Sequence, residues 1–308
     1  MNEQFASGRS FIVRQGRLVE RRLFATCFEG APAAGVIDAL RGYRNDDGGF
    51  GHALEPDKRC PASLPIDVEV ALQVMATAGH ADEALVRGAC DWLTGVAAIA
   101  GHGGAVPLAF PVIEAYPRAE HWTDWTYQPG LNPTAGLAGL LYRLGSDHPW
   151  LQAAADYCWK QIETEELPDE VHALREVLVF LEHVPDRPRA DAAAVRVRDR
   201  LASAALYHAD PDEPGYGLSP LSFAPTADSA WRGLFGDDVL QAHLDRLQRD
   251  QEPDGGWPIS WEPPGDAAAL EWRGMVTLDA LRTLVSYGRG MSRSRRSARP
   301  STDRAACA

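Results

Sequence analysis

The sequence lacks the patterns that mark several classes of protein. It contains no run of 18 consecutive apolar residues, so we expect no membrane-spanning helix and at most peripheral contact with a membrane. Its five cysteines are scattered without a Cys-x-x-Cys pair, and the start has no apolar leader, which favours a reduced, cytoplasmic protein. The 30 Lys and Arg are outnumbered by 43 Asp and Glu, and the resulting net charge of −13 argues against a nucleic-acid partner.

Metal-binding patterns are missing as well. The nine histidines are dispersed, and none forms a His-x-x-x-His or His-Glu-x-x-His motif. We therefore predict neither a metal site nor a cofactor.

Alternating β-branched runs are absent, and apolar residues recur instead with helical spacing, so we predict an all-α fold. Small apolar segments alternate with charged ones, which favours an inner layer of buried helices inside a half-exposed outer layer. The predicted helices cover residues 11–27, 31–44, 67–78, 81–94, 133–144, 149–163, 170–184, 189–205, 237–251 and 267–287.

The chain divides into a body and a tail. Residues 289–308 hold six arginines and one aspartate among Ser and Pro, without apolar periodicity, and are predicted to be a disordered basic tail. Residues 1–288 are predicted to form one domain. The oligomeric state is left open by the sequence.

Two loops share a pattern that carries a resemblance. Gln251-x-x-x-Gly255-x-Trp257 fits the Q-x-x-x-G-x-W repeat of squalene–hopene and oxidosqualene cyclases, and Arg44-x-x-x-Gly48-x-Phe50 is a degenerate copy. On these residues the chain resembles the terpenoid cyclase and protein prenyltransferase superfamily. The resemblance implies a single α/α toroid, a barrel of paired inner and outer helices with long rim loops. The aromatic residues of the repeat are predicted to brace neighbouring helix pairs.

The resemblance also implies an activity: a terpene cyclase-like or prenyltransferase-like protein that acts on an isoprenoid or similar apolar substrate in a central cavity, by proton-initiated cyclisation. Class II cyclases protonate their substrate with a D-x-D-D motif, which this sequence lacks. The nearest element is Asp67-Val68-Glu69-Val70, at the start of a predicted inner helix. In a dry cavity either carboxyl would have a raised pKa and serve as the acid, whereas Asp67 fits equally well as a helix N-cap.

Two other chemistries of the superfamily find less support. Asp156 and Cys158 have the spacing of two zinc ligands in prenyltransferases, but side chains two residues apart point about 200° apart on a helix, so we predict a structural cysteine. Neither Asp46-Asp47 nor Asp237-Asp238 is followed by the third acid of the magnesium-binding D-D-x-x-D motif.

Further candidate site residues lie in the loops. In the polar stretch 44–69, His52 beside Glu55 and Asp57 offers an acid/base or metal cluster, with a solvated loop whose acids cap helices as the alternative. The segments 98–132 and 207–236 are too long for simple connections and are predicted to cover one mouth of the toroid. The candidate catalytic residues are Asp67, Glu69, Asp46, Asp47 and His52, and the candidate substrate-binding residues are Trp122, Trp125, Tyr127, Trp261, Glu262 and Glu271.

Two alternatives remain open at this point. One is a non-catalytic toroid that binds a lipid or a partner. The other is a carbohydrate-active enzyme with an α/α toroid, which requires two carboxylates about 5 to 10 Å apart across a cleft.

Overall fold

The computed structural model describes residues 3–164 and 166–289, where it contains twelve α-helices, three short 3-10 helices and no β-strand. The all-α prediction is confirmed for this part of the chain. All of the predicted tail except Arg289 lies outside the described residues. The helices are α1 (Glu3–Gln15), α2 (Leu18–Glu29), α3 (Ala34–Arg41), α4 (Pro65–Ala78), α5 (Glu83–Ala100), α6 (Leu131–Arg143), α7 (Pro149–Thr164), α8 (Val171–His183), α9 (Arg187–Leu201), α10 (Pro220–Phe223), α11 (Asp237–Arg249) and α12 (Asp266–Ser286).

The helices pack in an order that follows the chain. Helices α2, α4, α6, α8 and α10 are neighbours in succession, and α12 packs against α2. The odd-numbered helices flank them: α1 contacts α12 and α2, α3 contacts α2 and α4, and α9 contacts α8. Helix α6 is buried on almost all sides, whereas α11 buries only three of its residues. None of the described helices is long and apolar enough to cross a membrane.

The closest packing joins α6 and α8. A Cβ atom added to Gly139 of α6 would lie 2.4 Å from the carbonyl oxygen of Val179 in α8, so the two backbones are in contact there. Only glycine permits this approach, because any side chain would collide with the neighbouring backbone. The small-residue sequence of α6 thus sets the distance between the two helices.

The predicted helix 11–27 is wrong in one respect, because the structure divides it into α1 and α2. Arg17 has an extended backbone (φ −63°, ψ 168°), and its guanidinium donates a 2.8 Å hydrogen bond to the carbonyl of Leu54. At the break, α12 comes so close that a Cβ on Gly274 would lie 3.2 Å from Gly16 Cα. A lone glycine costs a helix only about 1 kcal/mol, so the apolar pattern alone does not reveal the break.

The two repeat loops have the same conformation. Gly48 and Gly255 both have positive φ, 94° and 93°, which glycine adopts without strain. In each loop the aspartate before this glycine accepts a hydrogen bond from the backbone two residues on, at 2.9 Å for Asp47 and 3.0 Å for Asp254. The aromatic residue after each turn is buried: Phe50 is fully enclosed, and Trp257 Nε1 donates to the carbonyl of Leu247 in α11.

The long segment between α5 and α6 packs on the loop that precedes α4. Arg59 N donates to the Pro117 carbonyl at 2.9 Å, and Ala119 N donates to the Asp57 carbonyl at 2.8 Å. A second apolar cluster joins the two segments and contains Cys60, Leu64, Leu108, Ala109, Ile113, Ala119 and Trp122. The segment is therefore an ordered cover over residues 57–60.

Candidate functional site

Ionisable and aromatic side chains gather around the first turns of α4, α8 and α12. They come from those helices and from four connecting segments, 51–64, 101–130, 207–219 and 258–265. The group consists of a buried carboxyl pair, a buried lysine with two carboxyl partners, an aromatic cluster around Asp57, and a chain of hydrogen bonds that ends at Tyr216.

The carboxyl pair joins Glu69 of α4 to Glu176 of α8. The two carboxyl groups lie within hydrogen-bonding reach of each other, and the residues are 5% and 4% exposed. They lie against Gly136 of α6: a Cβ atom there would be 2.5 Å from Glu69 Oε1 and 2.0 Å from Glu176 Oε2. The missing side chain of Gly136 is therefore what makes room for the pair.

A hydrogen bond between two carboxyl groups requires one of them to carry a proton. Burial raises the pKa of Glu69 well above its ordinary value, and the adjacent charge of Glu176 raises it further. Arg175 forms an ion pair with Glu176, with Nη1 2.9 Å from Oε1. We assign the proton to Glu69, because burial and the neighbouring Glu176 both raise its pKa.

A second buried group centres on Lys58, which is completely inaccessible to solvent. Its Nζ lies 2.6 Å from Glu55 Oε2 and 3.3 Å from Asp67 Oδ2, and 4.9 Å from the ring centroid of Trp122. Burial raises the pKa of Glu55 to about 7 despite the attraction of Lys58. Burial disfavours the charge on Lys58, but the charges of Asp67 and Glu55 outweigh this and raise its pKa.

Asp67 does not cap helix α4. It lies inside the first turn, the N-cap position belongs to Leu64, and Asp67 Oδ1 accepts a 2.8 Å hydrogen bond from the backbone N–H of Glu55. Asp67 thus fixes the preceding loop and pairs with Lys58. Burial raises the pKa of Asp67, and the charge of Lys58 and the hydrogen bond from Glu55 N oppose that shift, whereas at Glu69 the neighbouring Glu176 adds to it.

Asp57 is the centre of the aromatic cluster. Its Oδ1 accepts hydrogen bonds from the indole N–H groups of Trp272 at 2.7 Å and Trp261 at 3.1 Å. Its Oδ2 lies 3.3 Å from His121 Nε2. Tyr216 meets Trp261 edge to face, with ring centroids 5.4 Å apart.

Tyr216 also ends a chain of hydrogen bonds. Its hydroxyl lies 2.5 Å from His172 Nε2, and His172 Nδ1 contacts Glu170. Burial disfavours the charge on Glu170, but hydrogen bonds from His172 and from the backbone outweigh it and lower the pKa of this carboxyl. Arg175 links this chain to the carboxyl pair electrostatically, because its charge acts on Tyr216 as well as on Glu69.

Three predicted catalytic residues lie apart from this group. Asp46 is exposed, and Asp47 accepts hydrogen bonds from Gly49 N and from Ser63 Oγ inside the repeat loop. His52 is exposed, with Nε2 2.8 Å from Asn45 Oδ1. These contacts hold the loop together, and none of them reaches the carboxyl pair.

The predicted substrate-binding residues are divided between the site and its cover. Trp261 belongs to the aromatic cluster, and Glu271 pairs with Arg59, with Nη1 2.6 Å from Oε2. Trp122 is buried over Lys58, whereas Glu262 is exposed. The remaining two, Trp125 and Tyr127, lie in the cover, where Trp125 bonds to the carbonyl of His121 and Tyr127 to Glu114.

The site residues that sequence reasoning missed include Glu176, Trp272, His172 and Tyr216. A carboxylate inside the apolar run VHALREVLVFLEH is the one available signal for Glu176, because a buried face rarely carries an acid without a partner. Among the described residues, no group of three or more His, Cys, Asp or Glu side chains is placed to hold a metal ion. Asp156 is exposed and Cys158 is buried, so the two lie on different sides of α7.

Comparison with known proteins gives no match: no protein-family model, no curated protein and no solved structure matches this chain.

Proposed function

We propose that this chain is an α/α-toroid enzyme that transfers a proton from Glu69 to an isoprenoid or similar apolar substrate and thereby starts a cyclisation or isomerisation. The observation that carries the proposal is the buried Glu69–Glu176 pair, in which burial and the neighbouring carboxyl group raise the pKa of Glu69.

The order of the helices supports the toroid. The even-numbered helices are neighbours in chain order from α2 to α10. Helix α12, the last in the chain, packs on α2, the first helix of this series. Ser286 and Tyr287 at the end of α12 hydrogen-bond to Ala227 and Ala224, just after α10. This contact brings the two ends of the series together, as closure of a ring requires.

The geometry favours Glu69 as the donor for an electrostatic reason. Protonation of an alkene needs an acid that holds its proton at neutral pH and leaves a stabilised anion when it loses the proton. Burial meets the first requirement at Glu69. Arg175 contributes to the second, because its charge acts on both carboxyls of the pair and offsets part of the repulsion between them.

The reaction is balanced within the pair. Glu69 transfers its proton to one alkene carbon, and the electrons of the double bond form the new C–H bond and leave a carbocation. Loss of a proton from a neighbouring carbon then forms a new double bond and restores the proton of the carboxyl pair. The product is an isomer of the substrate, so the reaction needs no oxidant, reductant or second substrate.

A carbohydrate-active enzyme is the second candidate, and the aromatic cluster favours it, because half-buried Trp261 and Trp272 beside Asp57 resemble a surface on which a sugar ring stacks. The Glu69–Glu176 pair argues against it. Glycosidases separate their two carboxyl groups by at least about 5 Å, whereas these two lie within hydrogen-bonding reach of each other.

The test is incubation of the purified protein with squalene, farnesyl diphosphate and geranylgeranyl diphosphate, followed by gas chromatography–mass spectrometry of the organic extract. Cyclic or isomerised products should form with the wild type and disappear with Glu69→Gln. Glu182→Gln is the matched control, since Glu182 is a half-buried acid of α8 that lies apart from the pair. Absence of any product, or products that persist with Glu69→Gln, would refute the proposal and leave the carbohydrate or binding alternatives.

A further inference from the structure

The carboxylate of Asp57 is buried without a lysine or arginine partner in the described part of the chain. The residue is 4% exposed. Its one ionisable contact is His121, whose side chain is half exposed. A buried carboxylate is costly unless a positive charge accompanies it, so this position favours a cationic ligand.

The rings around Asp57 are arranged at right angles. Trp261 and Trp272 have an interplanar angle of 84° with centroids 5.0 Å apart, and Tyr216 and Trp261 have an angle of 79°. All three side chains are only partly buried. Perpendicular aromatic faces beside one carboxylate form the corner in which aromatic cages enclose an ammonium group.

The hydrogen bonds of the cluster determine what kind of cation fits. Both indole N–H groups are already donated to Asp57 Oδ1, so neither tryptophan has a donor left for a ligand. A compact metal ion needs several oxygen ligands, and a sugar needs donors and acceptors directed at its hydroxyls. A quaternary ammonium group needs neither, because its charge is spread over methyl groups that contact ring faces.

The neighbouring charges do not cancel that preference. Arg59 is paired with Glu271, and Arg175 with Glu176, so both nearby guanidinium groups have their own carboxylates. His121 carries a positive charge only when protonated, and in that form it competes with the ligand for Asp57.

We propose that Asp57, Trp261, Trp272 and Tyr216 bind the quaternary ammonium group of a small ligand. The observation behind this site is independent of the carboxyl pair, and the site goes beyond the proposed proton transfer. Binding and turnover can therefore fail separately.

The test is a calorimetric titration of the full chain with tetramethylammonium and with choline at mildly alkaline pH. The decisive comparison is the neutral choline analogue in which a tert-butyl group replaces trimethylammonium, because the shape is kept and the charge removed. Choline should bind about tenfold or more tightly than this analogue. This comparison uses the wild type only, so it does not depend on how any variant folds.

Variants then locate the site. Asp57→Asn and Trp272→Leu should each weaken choline binding by about 5- to 30-fold. Trp92→Leu is the matched control, since this half-buried tryptophan packs on Phe110 and should leave the affinity unchanged. Equal binding of the neutral analogue, no binding of either cation, or displacement of choline by a simple sugar would each overturn the proposal.

Discussion

Replacement of Gly136 by alanine is the sharpest perturbation of the carboxyl pair. The new methyl group would lie 2.0 Å from Glu176 Oε2 and 2.5 Å from Glu69 Oε1, far inside van der Waals contact. Forcing one extra carbon into a packed core costs about 1 to 3 kcal/mol. Alanine recovers up to about 1 kcal/mol through its higher helix propensity. The net expectation is a loss of up to about 2 kcal/mol in the free energy of unfolding.

Gly95 provides the control for this prediction. It also lies inside a helix, α5, but it is exposed and an added Cβ atom would meet nothing within 4 Å. Gly95→Ala should therefore stabilise the protein by about 0.5 to 1 kcal/mol. Urea unfolding followed by circular dichroism measures both variants. If Gly136→Ala proved as stable as Gly95→Ala, the two carboxyls would not occupy the space beside Gly136, and the account of the pair would be refuted.

Three further perturbations follow from the buried charges and the repeat loop. Lys58→Met should destabilise the fold by about 3 to 5 kcal/mol in urea unfolding, because Glu55 and Asp67 lose their cationic partner; a loss below about 1 kcal/mol would contradict this. Glu69→Gln should be less sensitive to alkaline pH than the wild type. Because the pKa of Glu69 is raised in the folded state, its contribution to stability is fully present at pH values below its unfolded-state pKa and is lost as the pH rises through its folded-state pKa. Parallel pH profiles of stability for the wild type and the variant would contradict this prediction. Gly255→Ala should cost about 1 to 3 kcal/mol in thermal unfolding, because its φ of 93° is strained for any other residue; an unchanged melting temperature would contradict the strain.

Much of the fold could be predicted from the sequence, because helical periodicity is a local signal. Nine of the predicted helices correspond to one observed helix each, with ends that differ by a few residues. The segment 11–27 failed because its break depends on contacts with α12 and with the loop before α4, neither of which is close in sequence. Helix α10 was missed because four residues are too short to show periodicity.

The site could be predicted only in part. Glu69 was identified through its position at the start of a predicted inner helix. Its partner Glu176 lies more than 100 residues away, and only the packing of α4, α6 and α8 brings the two carboxyls together. Asp57 lay within a polar stretch already noted, but its two indole donors come from the far end of the chain. Pairings of this kind leave no local pattern, so a single sequence does not reveal them.

Proton transfer from Glu69 requires that this carboxyl group carries a proton at neutral pH, which nuclear magnetic resonance of the side-chain carboxyl carbons measures. Protein labelled with carbon-13 at the glutamate δ position would be titrated from acid to alkaline pH, for the wild type and for Glu69→Gln. The account predicts a carboxyl signal that stays in its protonated position well above the ordinary glutamate pKa near 4.5 and is missing from the variant. The signal of Glu55, which titrates near pH 7, should remain in both. If the wild-type and variant spectra contained the same set of raised carboxyl signals, Glu69 would not hold the proton, and the proposed acid would be contradicted.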